Sequence, residues 1–363
     1  MSIQTTYNSI SRTAWAEMVR KSPTGNWFQT PEAYSFYASQ PDLFKPFVVA
    51  LSDESGLRGV CVGYITVEPN PIKQFATRRA IIVGGPALAE DCSNEEVETL
   101  MRQVRAKIEE LGGAIYIETR NFNDYSRWRE GFEKAGFMYE EHNNFHIATE
   151  SFCENLHMGT DPLCKNEIEY AKVVNGLMGK NRVRDIKTSF RDGAIVIDHP
   201  TIEQVREYYA ILRNLYTTKV KTPLFPLSFF EKLYEQKDGR FILVGKSEEG
   251  KGKNEVEIIG GTVCVAQEGR CLYEWFVAGR DGEWKSIFPS SVATYAGIRN
   301  AAENGMLRFD MMGAGKPGDA YGVRDFKARF GGELVEHGRY KCICKPLRYK
   351  CGELGVKLLI HRK

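Results

Sequence analysis

The 363-residue chain lacks any run of ~18 consecutive apolar residues, the length a membrane-spanning helix needs. Its opening stretch, "MSIQTTYNSISRTAWAEMV", lacks the apolar core of a signal peptide. Both absences make cytoplasmic the expected location. Charge of one sign is scarce too: the formal net charge is +2. That excludes a molecule that binds nucleic acid by overall charge alone. With 42% hydrophobic and 26% charged residues, the composition carries no disordered bias.

Metal and nucleotide signatures are also missing. Nine cysteines, an odd number, fit a reducing compartment. Cys342 and Cys344 form a C-x-C without a second pair or a nearby histidine, so two strand thiols on one face are expected rather than zinc ligands. His142 and His146 in "HNNFH" stand at i, i+4, but the segment reads as turn and strand and lacks a zinc-protease glutamate. No metal or redox cofactor is expected. "DMMGAGKPGD" fails as a phosphate loop, since Asp310, five before Gly315, stands where a Walker A motif has its first glycine, and Pro317 follows Lys316. No strand opens onto G-x-G-x-x-G. "VAGRDGEWKSIFPSS" lies where acetyl-CoA-dependent acetyltransferases place a glycine-rich turn whose N–H groups hold pyrophosphate. The [QR]-x-x-G-x-[GA] spacing is absent, which weakens a CoA donor.

What is present is a repeated grammar. "PFVVAL", "GVCVGYITV" and "RAIIVGGPAL" read as strands, followed by an amphipathic helix from Asn94 to Leu111 with Ser93 and Glu96 as a capping box. "AIYIETR" is the next strand, and "YSRWREGFEKAGF" a helix closed by Gly136. The second half runs through "GRFILVGKS", "EVEIIGGTVCVAQ" and "GRCLYEWFVAG" to a helix over Pro289–Glu303 and a strand in "NGMLRFDMMGAG". Two mixed α/β domains are expected, at 1–150 and 151–345. The second includes a basic bridging helix over 166–190.

Charged residues supply the candidates. Lys180, Arg184, Lys187 and Arg191 form one row on the bridging helix, able to meet phosphates or tRNA but equally a solvated face. From Arg339 to Lys363 eight Lys or Arg face one Glu, a formal +7; this suits RNA, an anionic membrane surface or a sugar nucleotide, and equally a solvated basic end that aids solubility. Glu274 and Asp310 fall on strands that otherwise read as buried, so each is paired with a cation or placed at a site. In "YGVRDFKARFGGELVEHGRY", Val323, Phe326, Lys327 and Phe330 share one helical face. Lys327 therefore puts a cation in an apolar stripe, where it must snorkel out or meet an anion.

That last stretch resembles the Y-G-x-x-x-F-K-x-x-F-G-G-x-x-x-E segment of Fem-type peptidyl transferases. "NWFQTPEAYSFY", "GKNRVRDIKTSFRDGAIV" and "SSVATYAGIRNAAENGMLRFDMMGAG" resemble three further elements of that family, in the correct order over nearly the whole chain. The resemblance implies two tandem acetyltransferase-like (GNAT) domains, each a mixed, largely antiparallel sheet with flanking helices, with 346–363 returning to complete the first. It implies transfer of an amino acid from aminoacyl-tRNA to an amine of a nucleotide- or lipid-linked muropeptide. Lys327 matches the family lysine at the transfer centre, with its ammonium expected in a cleft and Asp310 and Glu274 beside it as catalytic candidates. Tyr273, Tyr321, Arg324, Lys219 and Lys221 are the substrate-binding candidates, the two lysines standing where the family carries an arginine. An N-acyltransferase using acyl-CoA or an acyl-carrier protein, and a non-catalytic double-GNAT binding protein, stay open as alternatives.

Overall fold

A computed structural model describes residues 1–149, 177–247 and 256–352. The chain divides into two compact units, Met1–His142 with Glu336–Lys363, and Asn143–Val335. The expected boundaries at 150 and 345 differ because strands near each junction pair away from their sequence neighbours.

The first unit contains β1 (Ser2–Gln4), α1 (Arg12–Lys21), α2 (Pro31–Ala38), β2 (Phe44–Asp53), β3 (Gly56–Thr66), α3 (Pro71–Thr77) and β4 (Ala80–Gly84). β5 (Ala87–Leu88), α4 (Asn94–Glu110), β6 (Tyr116–Asn121), α5 (Arg129–Lys134) and β7 (Met138–Glu140) follow. α4 starts where the sequence places it: Ser93 Oγ accepts from Glu96 N at 3.2 Å, and Glu96 Oε2 accepts from Ser93 N at 2.8 Å. Its Val97, Leu100, Val104 and Ile108 recur at helical spacing and bury against Val49, Cys61, Ile82 and Ile117. β4 and β6 run parallel, joined through α4.

The second unit contains β8 (Asn143–Ala148), α6 (Lys180–Arg191), β9 (Ala194–Ile197), α7 (Ile202–Leu215), α8 (Leu227–Tyr234), β10 (Gly239–Ser247) and β11 (Val256–Gln267). It continues with β12 (Cys271–Gly279), α9 (Pro289–Glu303), β13 (Arg308–Asp310), α10 (Gly322–Ala328) and β14 (Glu333–Glu336); β15 (Arg339–Ile343) returns to the first sheet. The bridging helix begins at Lys180 among the described residues; 166–176 lie outside them. Its strands lie in the order β14–β8–β13–β12–β11–β10–β9, and those of the first sheet run β1–β2–β3–β4–β6–β15–β7. The two sheets repeat one plan. Antiparallel strands lead to a parallel pair joined by a helix, and a strand distant in sequence lies beyond the second member. In the second unit that pair is β12 and β13, joined through α9, whose small residues let it bury on nearly every side.

β12 and β13 pair from Cys271↔Arg308 to Tyr273↔Asp310 and then part. β13 stops there because Met312 takes a left-handed conformation, φ 52°. The strand face that carries Arg308 and Asp310 therefore ends at Asp310. Opposite the fork, the β11–β12 register slips between Val263 and Cys264, and Trp275 is the extra residue.

Candidate active site at the strand fork

α10 brings Lys327 to the fork, and two glycines explain how it is seated. Gly331 and Gly332 have φ of 81° and 84°. A side chain at Gly331 would strike the carbonyl oxygen of Leu177, and one at Gly332 would lie 2.5 Å from that of His146. Only glycine permits both the turn and the approach to β8. Phe330 is fully buried, whereas Val323 is 42% exposed, so the stripe meets the core at its C-terminal end.

Lys327 is itself buried. Its Nζ donates to the carbonyls of Met311, Met312 at 2.7 Å and Gly313 at 2.9 Å. An ammonium has three donors, and all three are used. The side chain thus pins the turn that follows Asp310, including the left-handed Met312. Burial pushes its pKa down to about 8, against the carboxylates of Glu274 and Asp310.

Glu274 is buried beside α9. Its Oε1 accepts from Thr294 Oγ1 at 2.9 Å and Thr262 Oγ1 at 3.3 Å, and its Oε2 has no hydrogen-bond partner among the described residues. Burial pushes its pKa up to about 7, opposed by Lys327 and the two threonines. Burial thus shifts the acid up and the lysine down, each opposed by the other's charge.

Asp310 is wholly buried and more heavily bonded. Oδ1 accepts from Asn144 Nδ2 and from Met312 N, each at 2.8 Å; Oδ2 lies 3.1 Å from His146 Nε2 and 3.8 Å from Arg308. Burial alone would raise its pKa, but His146, Arg308 and the Met312 amide outweigh that and hold it below the ordinary value. His146 and Asp310 are directly opposite on β8 and β13. Asn144 Nδ2 also lies 3.3 Å from His146 Nε2, so the amide spans the Asp310–His146 pair. The His146 side chain keeps 11% of its surface exposed and Asp310 none, so the histidine carries the pair's reach to solvent.

The remaining candidates are scattered. Tyr273 is buried, with its hydroxyl 3.4 Å from Gln267 Oε1. Arg324 spends its guanidinium on the carbonyls of Ala314 at 2.9 Å, Asp319 at 3.0 Å and Lys316, so it fixes the loop before α10. Tyr321 is 41% exposed at the start of that helix. Lys219 and Lys221 are exposed after α7, with Lys221 left-handed at φ 57°. Of the basic row, Lys180, Arg184 and Arg191 are exposed and Lys187 half-buried. Arg184 and Arg191 pair with Asp185 at 3.1 Å and Asp192 at 2.8 Å.

Two residues outside the expected set belong to this region. One is His146. The other is Arg182, which faces inward from α6 and is buried, its guanidinium 4.6 Å and 4.3 Å from the Phe326 and Phe330 ring centres. It also donates to Ser291 Oγ and to Phe326 O at 3.3 Å, tying α10 to the start of α9. Burial lowers its pKa to about 10. The start of α9 is closed by a carboxylate of the chain itself: Asp281 accepts from Ser290 N at 3.2 Å and from Ser290 Oγ.

Residues 242–356 match the model of the FemAB family. The matched segment makes up about a third of the chain. It spans the fork, Glu274, Asp310 and Lys327. A solved structure of FemX shares the fold over 97% of this chain and 99% of its own, at 14% identity and a TM-score of 0.68. A tandem GNAT protein from the clavulanic acid biosynthesis pathway matches over 94% and 98%, at 7% identity and a TM-score of 0.54. The C-terminal domain of a putative lysylphosphatidylglycerol synthetase from Agrobacterium fabrum matches over 95% of each chain, at 12% identity and a TM-score of 0.52. No curated protein sequence matches the chain. The FemAB segment thus sits in a tandem GNAT-like fold. Among the described residues, no helix is long and apolar enough to cross a membrane.

Proposed function

We propose that the protein is an acyltransferase that moves an amino acid from aminoacyl-tRNA to an amine of a peptidoglycan precursor peptide. The observation that carries the choice of donor is Asp281. In an acetyl-CoA enzyme the helix after the fork offers its first amides to a pyrophosphate. Here Asp281 holds the Ser290 amide and adds a negative charge where the diphosphate would lie. The counterpart in the first unit is closed too, by the Ser93–Glu96 capping box. An ester donor needs neither site. The FemAB match and the fold of FemX support the acceptor class.

The chemistry follows from the residues at the fork. The acceptor ammonium must lose a proton before it can attack the ester carbonyl, and the His146 imidazole is the base assigned to take it. Asp310 holds the ring and stabilises the imidazolium. Attack places negative charge on the carbonyl oxygen, and collapse expels the ribose hydroxyl of the tRNA, which takes a proton back. Lys327 contributes positive potential at the fork and the fixed 311–313 turn; its hydrogens are already committed to carbonyls, so it acts as a preorganised charge.

The test is loss of label from a mixed pool of radiolabelled aminoacyl-tRNAs, with and without a nucleotide-linked or lipid-linked muropeptide. Wild type and His146→Ala are compared, and acyl-CoA and acyl-carrier-protein thioesters are run in parallel. Acceptor-dependent loss from tRNA that falls about a hundredfold in the variant is expected. Thioester consumption without loss from tRNA would sink the proposal.

A further inference from the structure

The first unit carries an exposed apolar patch that the transfer chemistry does not use. α3 presents Ile72 and Phe75, 81% and 58% exposed, and the helical residues 346–352 present Leu347, 82% exposed. Side chains of this size are normally covered when they cluster. The two segments meet: the Arg348 guanidinium lies 3.8 Å from the centre of the Phe75 ring. Between them is a hollow of about 270 Å³, lined by Phe75, Arg78, Ile115, Lys345 and Arg348 among others.

Cations surround the patch. Lys73, Arg79, Arg348 and Lys350 are exposed around the three apolar tips. Arg78 is tied to the carbonyls of Gly113 at 2.7 Å and Leu111 at 3.0 Å, and Lys345 is balanced by Glu109 at 3.2 Å. Asn70 caps α3 through Ile72 N at 2.9 Å and Lys73 N at 3.1 Å, so the short helix is set in place.

We propose that α3 and residues 346–352 form a docking face for an anionic phospholipid surface, with Ile72, Phe75 and Leu347 entering the headgroup boundary and the surrounding cations meeting lipid phosphates. Nucleic acid is the less fitting occupant. A phosphate backbone rewards the cations but not three exposed alkyl and aryl groups, whereas a bilayer rewards both. The contact is peripheral. It would hold the enzyme near any lipid-linked acceptor, but it stands independently of the transfer reaction.

The test is co-sedimentation of the full chain with vesicles of phosphatidylcholine alone and of phosphatidylcholine with phosphatidylglycerol. The variants are Ile72→Ser/Phe75→Ser/Leu347→Ser and Lys73→Glu/Arg79→Glu/Lys350→Glu. Wild type should bind the anionic vesicles at least about tenfold more tightly, and added salt should weaken binding. The charge-reversed variant should lose about a hundredfold, near fivefold per cation, and the serine variant at least about tenfold. Thermal midpoints should stay at wild type, since every altered side chain is exposed. Equal binding to both vesicle types overturns the proposal, as does full binding by the serine variant. So would vesicle binding that is absent while tRNA binding falls in the charge variant, which would assign the face to RNA.

Discussion

Replacing Glu274 by glutamine should stabilise the protein, and the gain should depend on pH. The carboxyl is fully enclosed, its Oε2 has no partner among the described residues, and its pKa rises from 4.5 to about 7. Between those values the folded chain still holds a proton that the unfolded chain has released. The stability contributed by neutral Glu274 is therefore complete below pH 4.5 and is lost as pH rises through 7. A shift of this size corresponds to about 3 kcal/mol. Glutamine copies the neutral acid in shape and keeps an oxygen for Thr262 and Thr294, so it should retain that stability at pH 8. In a unit of this size the gain is about 6–12 °C in Tm. Thermal unfolding of wild type and Glu274→Gln at pH 4.5, 6 and 8 measures it. The curves should nearly coincide at the lowest pH and separate progressively above it. A variant less stable than wild type at pH 8, or an offset constant with pH, would refute the reasoning. Lys327 adds the complementary limb. Its pKa is lowered from 10.5 to about 8, so stability rises again as the folded lysine deprotonates while the unfolded one does not.

Lys327→Met should cost about 2–4 kcal/mol at neutral pH, because three turn carbonyls lose their donor; calorimetry reads it. Lys327→Arg should not rescue activity, since a planar guanidinium cannot place three donors on that turn. Asp310→Asn should lower the transfer rate about a hundredfold, with little change in KM for tRNA, because the imidazole loses the anion that stabilises its charged form; steady-state kinetics separate the two. Ser93→Ala should cost about 1 kcal/mol by removing half of the α4 capping box, read as a shift in the urea midpoint with unchanged slope.

Local signals were legible and distant ones were not. The start of α4, the glycine-closed turns and the runs of β10–β12 depend on neighbours a few residues away, and the residues there state their roles. The double GNAT-like plan was legible for the same reason, since each half repeats one order of strands and helix. The site was harder. His146 looked like half of a metal pair because its true partner, Asp310, is a cross-strand neighbour distant in sequence. Arg182 lies two positions from Lys180 and Arg184 and was hidden by them, although it alone of the three is buried. The destination of Lys327 was not readable at all. Its acceptors are backbone carbonyls, which every residue carries, so no side-chain pattern announces them.

The position of β15 sets the order in which this protein can be completed. It pairs with β6 through Cys342↔Ile117 and with β7 through Tyr340↔Tyr139, and Tyr340 stacks on Phe132 with ring centres 4.0 Å apart. During synthesis the first unit therefore leaves the ribosome with a gap between β6 and β7. That gap stays open until the second unit has been made. Nascent chains and fragments that stop before Arg339 expose two unpaired strand edges. They should need chaperone protection that the finished protein does not. The half that is translated first is the half that matures last.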